Sequence, residues 1–276
     1  VPTPPTSTVP ASPAGQDEQA GQVVTWRTQA PGIRGVTMAR PPANALGVPL
    51  LDGLRRAIDD AAAGGTKVVV ITSALHGFFA AGADIKHLAT IDAASFTAYG
   101  DRMRAVNDRL AAAPFLSIAA IDGLALGRGL ELAMACTLRV AGRRAALGLP
   151  EVKIGLIPGA GGTQRLTRLV GRSRALDIML TARQVPAAEA HLIGLVDRLA
   201  DDDADAETSA LALAGELIGP SLPAQLAIVR TVDAAGDLPL AEGFRYEVAQ
   251  EQALFETGEA TEGIRAFVSK RPPRFA

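Results

Sequence analysis

Apolar residues in this chain follow two spacings, and the balance between them changes along its length. Short β-branched runs dominate the first half. VVTWRT (23–28) and IRGVTMA (33–39) flank a Pro-Gly turn, and KVVVITS (67–73), FLSIAAIDG (115–123) and TLRVAG (137–142) follow. Runs of this length and make-up predict strands, with KVVVITS reading as a buried one. Between them, PLLDGLRRAIDDAAAG (49–64) and FTAYGDRMRAVNDRLAAA (96–113) place apolar residues three and four apart. That spacing predicts helices, the first ended by Gly64 and the second stopped by Pro114. ALGRGLELAMAC (125–136) reads as a helix that follows a strand. Strands alternating with helices predict an α/β layered fold with some parallel pairing.

Beyond about residue 173 the strand spacing gives way to helical stretches: SRALDIMLTAR, AAEAHLIGL, ETSALALAGELIG, LPAQLAIVRTVDAAG and LAEGFRYEVAQEQALFETG. The acidic run DDDADAE (201–207) reads as a solvated loop whose charge suits the helix start behind it. The first 22 residues are rich in Pro, Ser, Thr and Ala and lack the apolar content to pack, which predicts a disordered tail. No internal repeat is visible. The expected layout is a tail (1–22), an α/β core (23–205) and a helical region (206–276).

Composition narrows the partners rather than the fold. The chain has 276 residues, 48% apolar and 20% charged, enough to bury a sizeable core. A formal net charge of -2 gives no electrostatic reason to expect nucleic acid as a ligand. No apolar run approaches the roughly 18 residues of a membrane span, so no membrane partner is expected. The single cysteine, Cys136, excludes an internal disulfide and points to a reducing compartment. The first basic residue is Arg27, which speaks against a signal or transit peptide. Cytoplasm is therefore the expected location.

Several chemistries lack their motifs. There is no G-x-G-x-x-G after a strand, no G-x-x-x-x-G-K-[ST] and no G-x-S-x-G, which removes the common phosphate loops and the nucleophile elbow. His76, His87 and His191 show no metal-ligand spacing, so no metal site is expected. Backbone and carboxylate chemistry is left.

Three stretches have the composition of a site. GFFAAGADI (77–85) carries small residues that let backbone N–H groups approach a ligand, although a tight loop with Asp84 as a helix cap explains it equally well. Gly127 and Gly129 flank a helix start whose unpaired N–H groups suit an anionic oxygen. Glu131 falls in that helix's first turn, either complementing the dipole or, among Leu130, Leu132, Ala133 and Met134, acting as a semi-buried acid or base. In GLPEVKIGLIPGAGGTQRL (148–166), Glu151 follows Pro150 at a first-turn position. Taken alone, it complements the dipole or pairs with Lys153.

In order and spacing, FAAGADIKHL, DGLALGRGLELAMAC, LPEVKIGLIPGAGGTQRL and EGIRAFVSKRPPRF resemble segments of the enoyl-CoA hydratase (crotonase) family, and the likeness runs from about Val23 to Phe275. The resemblance implies a spiral of repeated ββα units followed by a C-terminal helical region that builds homotrimers or dimers of trimers. It implies hydration of a trans-2-enoyl-CoA to a 3-hydroxyacyl-CoA. The peptide N–H groups of Ala83 and Arg128 would form the oxyanion hole, Glu131 would orient the water and Glu151 would supply the proton. Ala81, Gly82, Asp84, Ile85 and Lys86, with Lys270 and Arg271 near the end, would contact the substrate and its CoA. No cofactor is implied beyond the CoA of the substrate. Double-bond isomerisation on the same fold is the nearest alternative, and a non-catalytic RNA-binding or scaffold relative is one of another class. Arg128 departs from the family, which has glycine there. Its peptide is expected to donate while its side chain turns away. Contact of the guanidinium with an acidic acyl tail or a CoA phosphate, or an impaired site, are the other readings.

Overall fold

The computed structural model describes residues 21–201 and 203–275. All but the last two residues of the stretch read as a tail, and one residue of the acidic run, lie outside the described residues. The two opening runs form an antiparallel pair, β1 (Val24–Ala30) and β2 (Ile33–Met38). The β-branched runs then add in parallel: β3 (Val68–Ser73) on β2, β5 (Leu116–Ile121) on β3, β7 (Leu138–Ala141) on β5, and the short β10 (Arg198–Leu199) on β7. The result is a six-stranded sheet of order β1-β2-β3-β5-β7-β10. A second, four-stranded sheet runs β4 (Phe78–Ala80), β6 (Leu124–Leu126), β8 (Ala146–Gly148) and β9 (Val185–Pro186). Its first three strands are parallel, and β9 runs antiparallel to β8.

The element order explains this pairing. Three successive passes of the chain each lay one strand in the large sheet, the next in the small sheet, and then a helical turn or helix. The first pass is β3, β4, α2 (Ile85–Leu88) and α3 (Ala93–Ala111); the second is β5, β6 and α4 (Arg128–Ala135). The third is β7, β8, a 3-10 turn (Glu151–Ile154) and α5 (Gly162–Val170). Stacked passes of one hand form a spiral of ββα units, and the repeat lies in the topology although the sequence hides it. One expectation changes here: 125–136 is not helical throughout, because Leu124–Leu126 is the strand β6 and the helix starts at Arg128.

Local chemistry sets the helix ends. In α1 (Val48–Ala63) a proline, which has no N–H to leave unpaired, sits in the first turn, and Gly64 stands at the end with its N–H donating to the Asp60 carbonyl. Asp92 caps α3 by accepting from the Ser95 N–H at 2.8 Å, and Asp205 caps α8 (Ala206–Leu217) through Thr208 at 2.7 Å.

Both faces of the large sheet are covered, which is why its strands read as unbroken apolar runs. Val69, Ile71, Ala119 and Ile121 join the inner core with Leu50, Leu54, Met103 and Leu132. The alternate residues Val68, Val70, Leu116 and Ile118 pack against Ala206, Ala210 and Leu213 of α8. Each such aliphatic side chain contributes about 1.5–3 kcal/mol by leaving water. Between the spiral and α8 lie α6 (Arg172–Thr181) and α7 (Ala187–Leu192), and the chain ends in α9 (Leu222–Ala234), α10 (Leu240–Glu256) and α11 (Glu259–Val268).

Candidate active site

The exits of β4, β6 and β8 occupy equivalent places on the three passes, so the spiral gathers three loops at one end of the small sheet. These are the loops singled out from sequence: Ala81–Asp84, Gly127–Arg128 and Leu149–Glu151. Strand ends of parallel sheets are where ligand crevices form. Here they border a pocket of about 410 Å³ whose walls include Ala81, Gly82, Ala83, Gly127, Arg128 and Glu151, with Ile85, Leu88, Phe96, Leu156 and Ile157 as an apolar lining.

The first two loops approach closely. A Cβ on Gly82 would stand 2.9 Å from the Leu126 carbonyl oxygen and 3.6 Å from the Arg128 nitrogen. The peptides of Ala83 and Arg128 therefore lie side by side on the pocket wall. Among the described residues, neither N–H meets a protein acceptor; Arg128 is the first residue of α4, where a helix leaves its N–H groups unpaired. The conformation that requires glycine falls one residue before Arg128. Gly127 takes φ 51° with ψ -125°, a region open essentially to glycine, and Arg128 is ordinary helix. A Cβ on Gly127 would also stand 2.8 Å from Glu151 Oε1.

The side chain of Arg128 packs against an aromatic ring. Its guanidinium lies over the ring of Tyr99 in α3, 4.1 Å from the centroid. Tyr99 is fixed in turn: its hydroxyl donates to the Leu46 carbonyl at 2.5 Å and accepts from the Asp84 N–H at 3.1 Å. The His87 ring meets its edge.

Glu131 is 0% exposed and stands behind the pocket wall. Its Oε1 accepts from the Ala160 N–H at 2.8 Å and the Gly162 N–H at 2.7 Å, both from the glycine-rich loop into α5. That loop is pinned by α3, where Asn107 Nδ2 donates to the Ala160 carbonyl at 3.0 Å and Arg104 to the Gly159 carbonyl at 2.9 Å. Burial raises the Glu131 carboxyl above its ordinary value, and the two N–H donors oppose the shift. Burial also pushes Glu151 up to about 7, with the charge of Glu131 adding to the effect. The second oxygens of the two, Glu131 Oε2 and Glu151 Oε2, are buried and have no protein partner. Two carboxylates of raised pKa that influence one another can divide one proton unequally.

Other predicted contacts separate from the pocket. Asp84 caps α2 by accepting from the His87 N–H and pairs with Arg40 at 2.6 Å. That hydrogen bond to Arg40 holds its carboxyl below the usual range, so Asp84 is a structural cap rather than a wall of the pocket. Ile85 lines the pocket, and Lys86 beside it is exposed. Lys270 and Arg271 follow α11, where Arg271 forms a bidentate pair with Glu262 at 2.7 and 2.9 Å; neither lines the pocket. Sequence reasoning missed Tyr99, Arg104 and Asn107. They sit on one face of α3, where only their wide separation in sequence from Arg128 and Ala160 conceals the contacts.

Known proteins are similar to this chain in sequence and in fold. The family model for enoyl-CoA hydratase/isomerase matches residues 28–276. A probable enoyl-CoA hydratase of Rhizobium meliloti is 41% identical over 245 residues, covering 87% of this chain and 93% of that protein. The mitochondrial methylglutaconyl-CoA hydratase of Mus musculus is 38% identical over 84% of this chain and 75% of its own length. Among solved structures, the enoyl-CoA hydratase of Bacillus anthracis superposes with a TM-score of 0.87 at 32% identity, covering 92% of this chain and 99% of that one. With the ββα spiral, the C-terminal helices and the three gathered loops, these matches lead to one statement: the chain belongs to the enoyl-CoA hydratase/isomerase family and has the crotonase fold.

Proposed function

We propose that this protein hydrates trans-2-enoyl-CoA thioesters to 3-hydroxyacyl-CoA. The observation that carries the reading is the pair of buried carboxylates, Glu131 and Glu151, each with a partnerless oxygen, beside two unengaged peptide donors. Relatives with hydratase names support the same reaction.

The thioester oxygen accepts from the N–H groups of Ala83 and Arg128. Those donors act most strongly as the oxygen gains enolate charge, so they favour the transition state over the ground state. Polarisation makes C3 electrophilic. Glu131, its charge held by two peptide N–H groups, orients a water and takes its proton as the water oxygen bonds to C3. Glu151, the carboxyl with the pKa near 7, delivers a proton to C2 as the enolate collapses. The reaction consumes water and uses no cofactor; CoA arrives with the substrate. The exposed apolar faces of α9 to α11 suit assembly as a homotrimer or a dimer of trimers.

The test is hydration of crotonyl-CoA followed through loss of the enoyl-thioester absorbance. Glu131→Gln and Glu151→Gln should each lower kcat by about 10²–10⁴-fold, the usual weight of a positioned acid or base. Wild-type hydration by the Glu131→Gln protein would remove the assigned role, and a wild type that hydrates neither crotonyl-CoA nor an acidic enoyl-CoA such as glutaconyl-CoA would remove the reading altogether.

A further inference from the structure

Arg128 places a full positive charge on the wall of the pocket, which also carries Arg104, Lys153 and Glu151 among its apolar side chains. The residue is 8% exposed, its Nη1 is buried with no partner, and its guanidinium rests on the face of Tyr99. Among the described residues, it forms no ion pair and no side-chain hydrogen bond. A buried charged donor left without a hydrogen bond is costly, and the ring quadrupole and the charges of Glu131 and Glu151 nearby offset only part of the cost. The site is also built. Tyr99 is locked by Leu46 and Asp84, so the guanidinium has a rigid platform. The adjoining face of α3, through Phe96, Thr97 and Gly100, borders the same pocket.

We infer that Arg128 reads an acidic group at the end of a short acyl chain, so that the preferred substrates are CoA thioesters of dicarboxylic acids. The inference rests on the hydratase reading only for the placement of the thioester. If the thioester oxygen binds the Arg128 peptide N–H, the acyl chain runs on into the pocket that Arg128 lines. A carboxylate a few carbons from the thioester then comes within reach of the guanidinium, which a small turn of the side chain off the Tyr99 face would present to it. A guanidinium and a carboxylate match in charge and in planar donor geometry, and pairing them removes the cost of the buried charge. The phosphates of CoA sit at the far end of the pantetheine arm from the acyl group and are not candidates for this contact. A neutral acyl chain would leave the guanidinium unpaired and further desolvated.

Binding decides the matter without requiring turnover. Glutaryl-CoA and butyryl-CoA are both saturated and share the CoA moiety, so the ratio of their dissociation constants isolates the acyl terminus. Calorimetry on the wild type should give glutaryl-CoA the tighter binding by about tenfold or more, the scale of one hydrogen bond to a charged group. In Arg128→Met the preference should vanish or reverse, and Arg128→Lys should retain part of it. Equal binding of the two thioesters by the wild type would overturn the proposal and leave Arg128 as a counter-charge to the glutamate pair. A preference that survives in Arg128→Met would also overturn it, by assigning recognition to another cation such as Lys153. Should Arg128→Met fail to fold, Arg128→Gln and Lys153→Met in the same assay decide between the two cations: the preference should vanish in the first and persist in the second. A wild type that prefers glutaryl-CoA yet does not hydrate crotonyl-CoA or glutaconyl-CoA would sink the hydratase reading while leaving this one intact.

Discussion

Glu131 and Glu151 differ in how their charge is stabilised, and that difference sets the pH behaviour. Two peptide N–H groups hold the charge of Glu131. Glu151 is pushed up to about 7, first by burial and further by Glu131, against the opposing hydrogen bond of its own N–H. A proton donor must be protonated to act, so kcat/KM should fall as pH rises through the apparent pKa of the pair, near 7. A carboxyl at its ordinary value would have lost its proton more than two units lower. The check is the pH profile of kcat/KM for crotonyl-CoA; a level profile from pH 6 to 9 would contradict the assignment of Glu151 as the acid. At this scale the sequence was partly legible. The resemblance located both glutamates and both peptide donors by number, and first-turn positions alone marked the glutamates as candidates. The partners of Glu131 lie 29 and 31 residues further on and the platform of Arg128 lies in α3, contacts that no local pattern encodes.

Packing between elements fixes where the oxyanion donors point. The start of α4 presses against β4, and a Cβ on Gly129 would stand 2.2 Å from the Ala80 carbonyl oxygen. Both partners are backbone, so neither can yield as a flexible side chain would. Gly129→Ala should therefore destabilise the protein by about 1–3 kcal/mol, the usual cost of overpacking, and should lower kcat by displacing the Arg128 peptide. Urea denaturation and crotonyl-CoA kinetics on the variant would measure both, and unchanged stability would mean that α4 has room to shift. The elements legible in sequence were those long enough to show a period. β3, β5, β7, α1 and α3 fall within three residues of their expected limits. The small sheet was invisible because β4, β6 and β8 are three residues each, too short for any alternation to register. With half of every ββα unit hidden in this way, the repeat itself could not be seen.

For the whole molecule, the helical region divides into two kinds of surface. α8 covers the outer face of the large sheet, where its alanines and Leu213 meet Val68, Val70 and Ile118. α10 behaves differently: it has no buried residue, and Leu240, Phe244 and Val248, spaced four apart on one face, are all exposed. Ile228 and Val232 repeat the spacing on α9, and Ile264, Phe267 and Val268 add apolar surface on α11. The sequence shows these helices to be amphipathic but carries no sign of which apolar face the spiral leaves bare, since that depends on α8 having already filled the sheet. Contiguous apolar stripes of this kind mark protein contacts. Light scattering coupled to gel filtration should thus give three or six copies of the 28.4 kDa chain. Because the stripe itself would form the contact, Phe244→Glu combined with Val248→Glu should bring a charge into each copy of the interface and lower the mass towards that of one chain. The fold of the spiral should persist in that variant, since neither residue touches the core, and circular dichroism would report it. A wild type that elutes as a single chain, or a double variant with unaltered mass, would show that the stripe has another use.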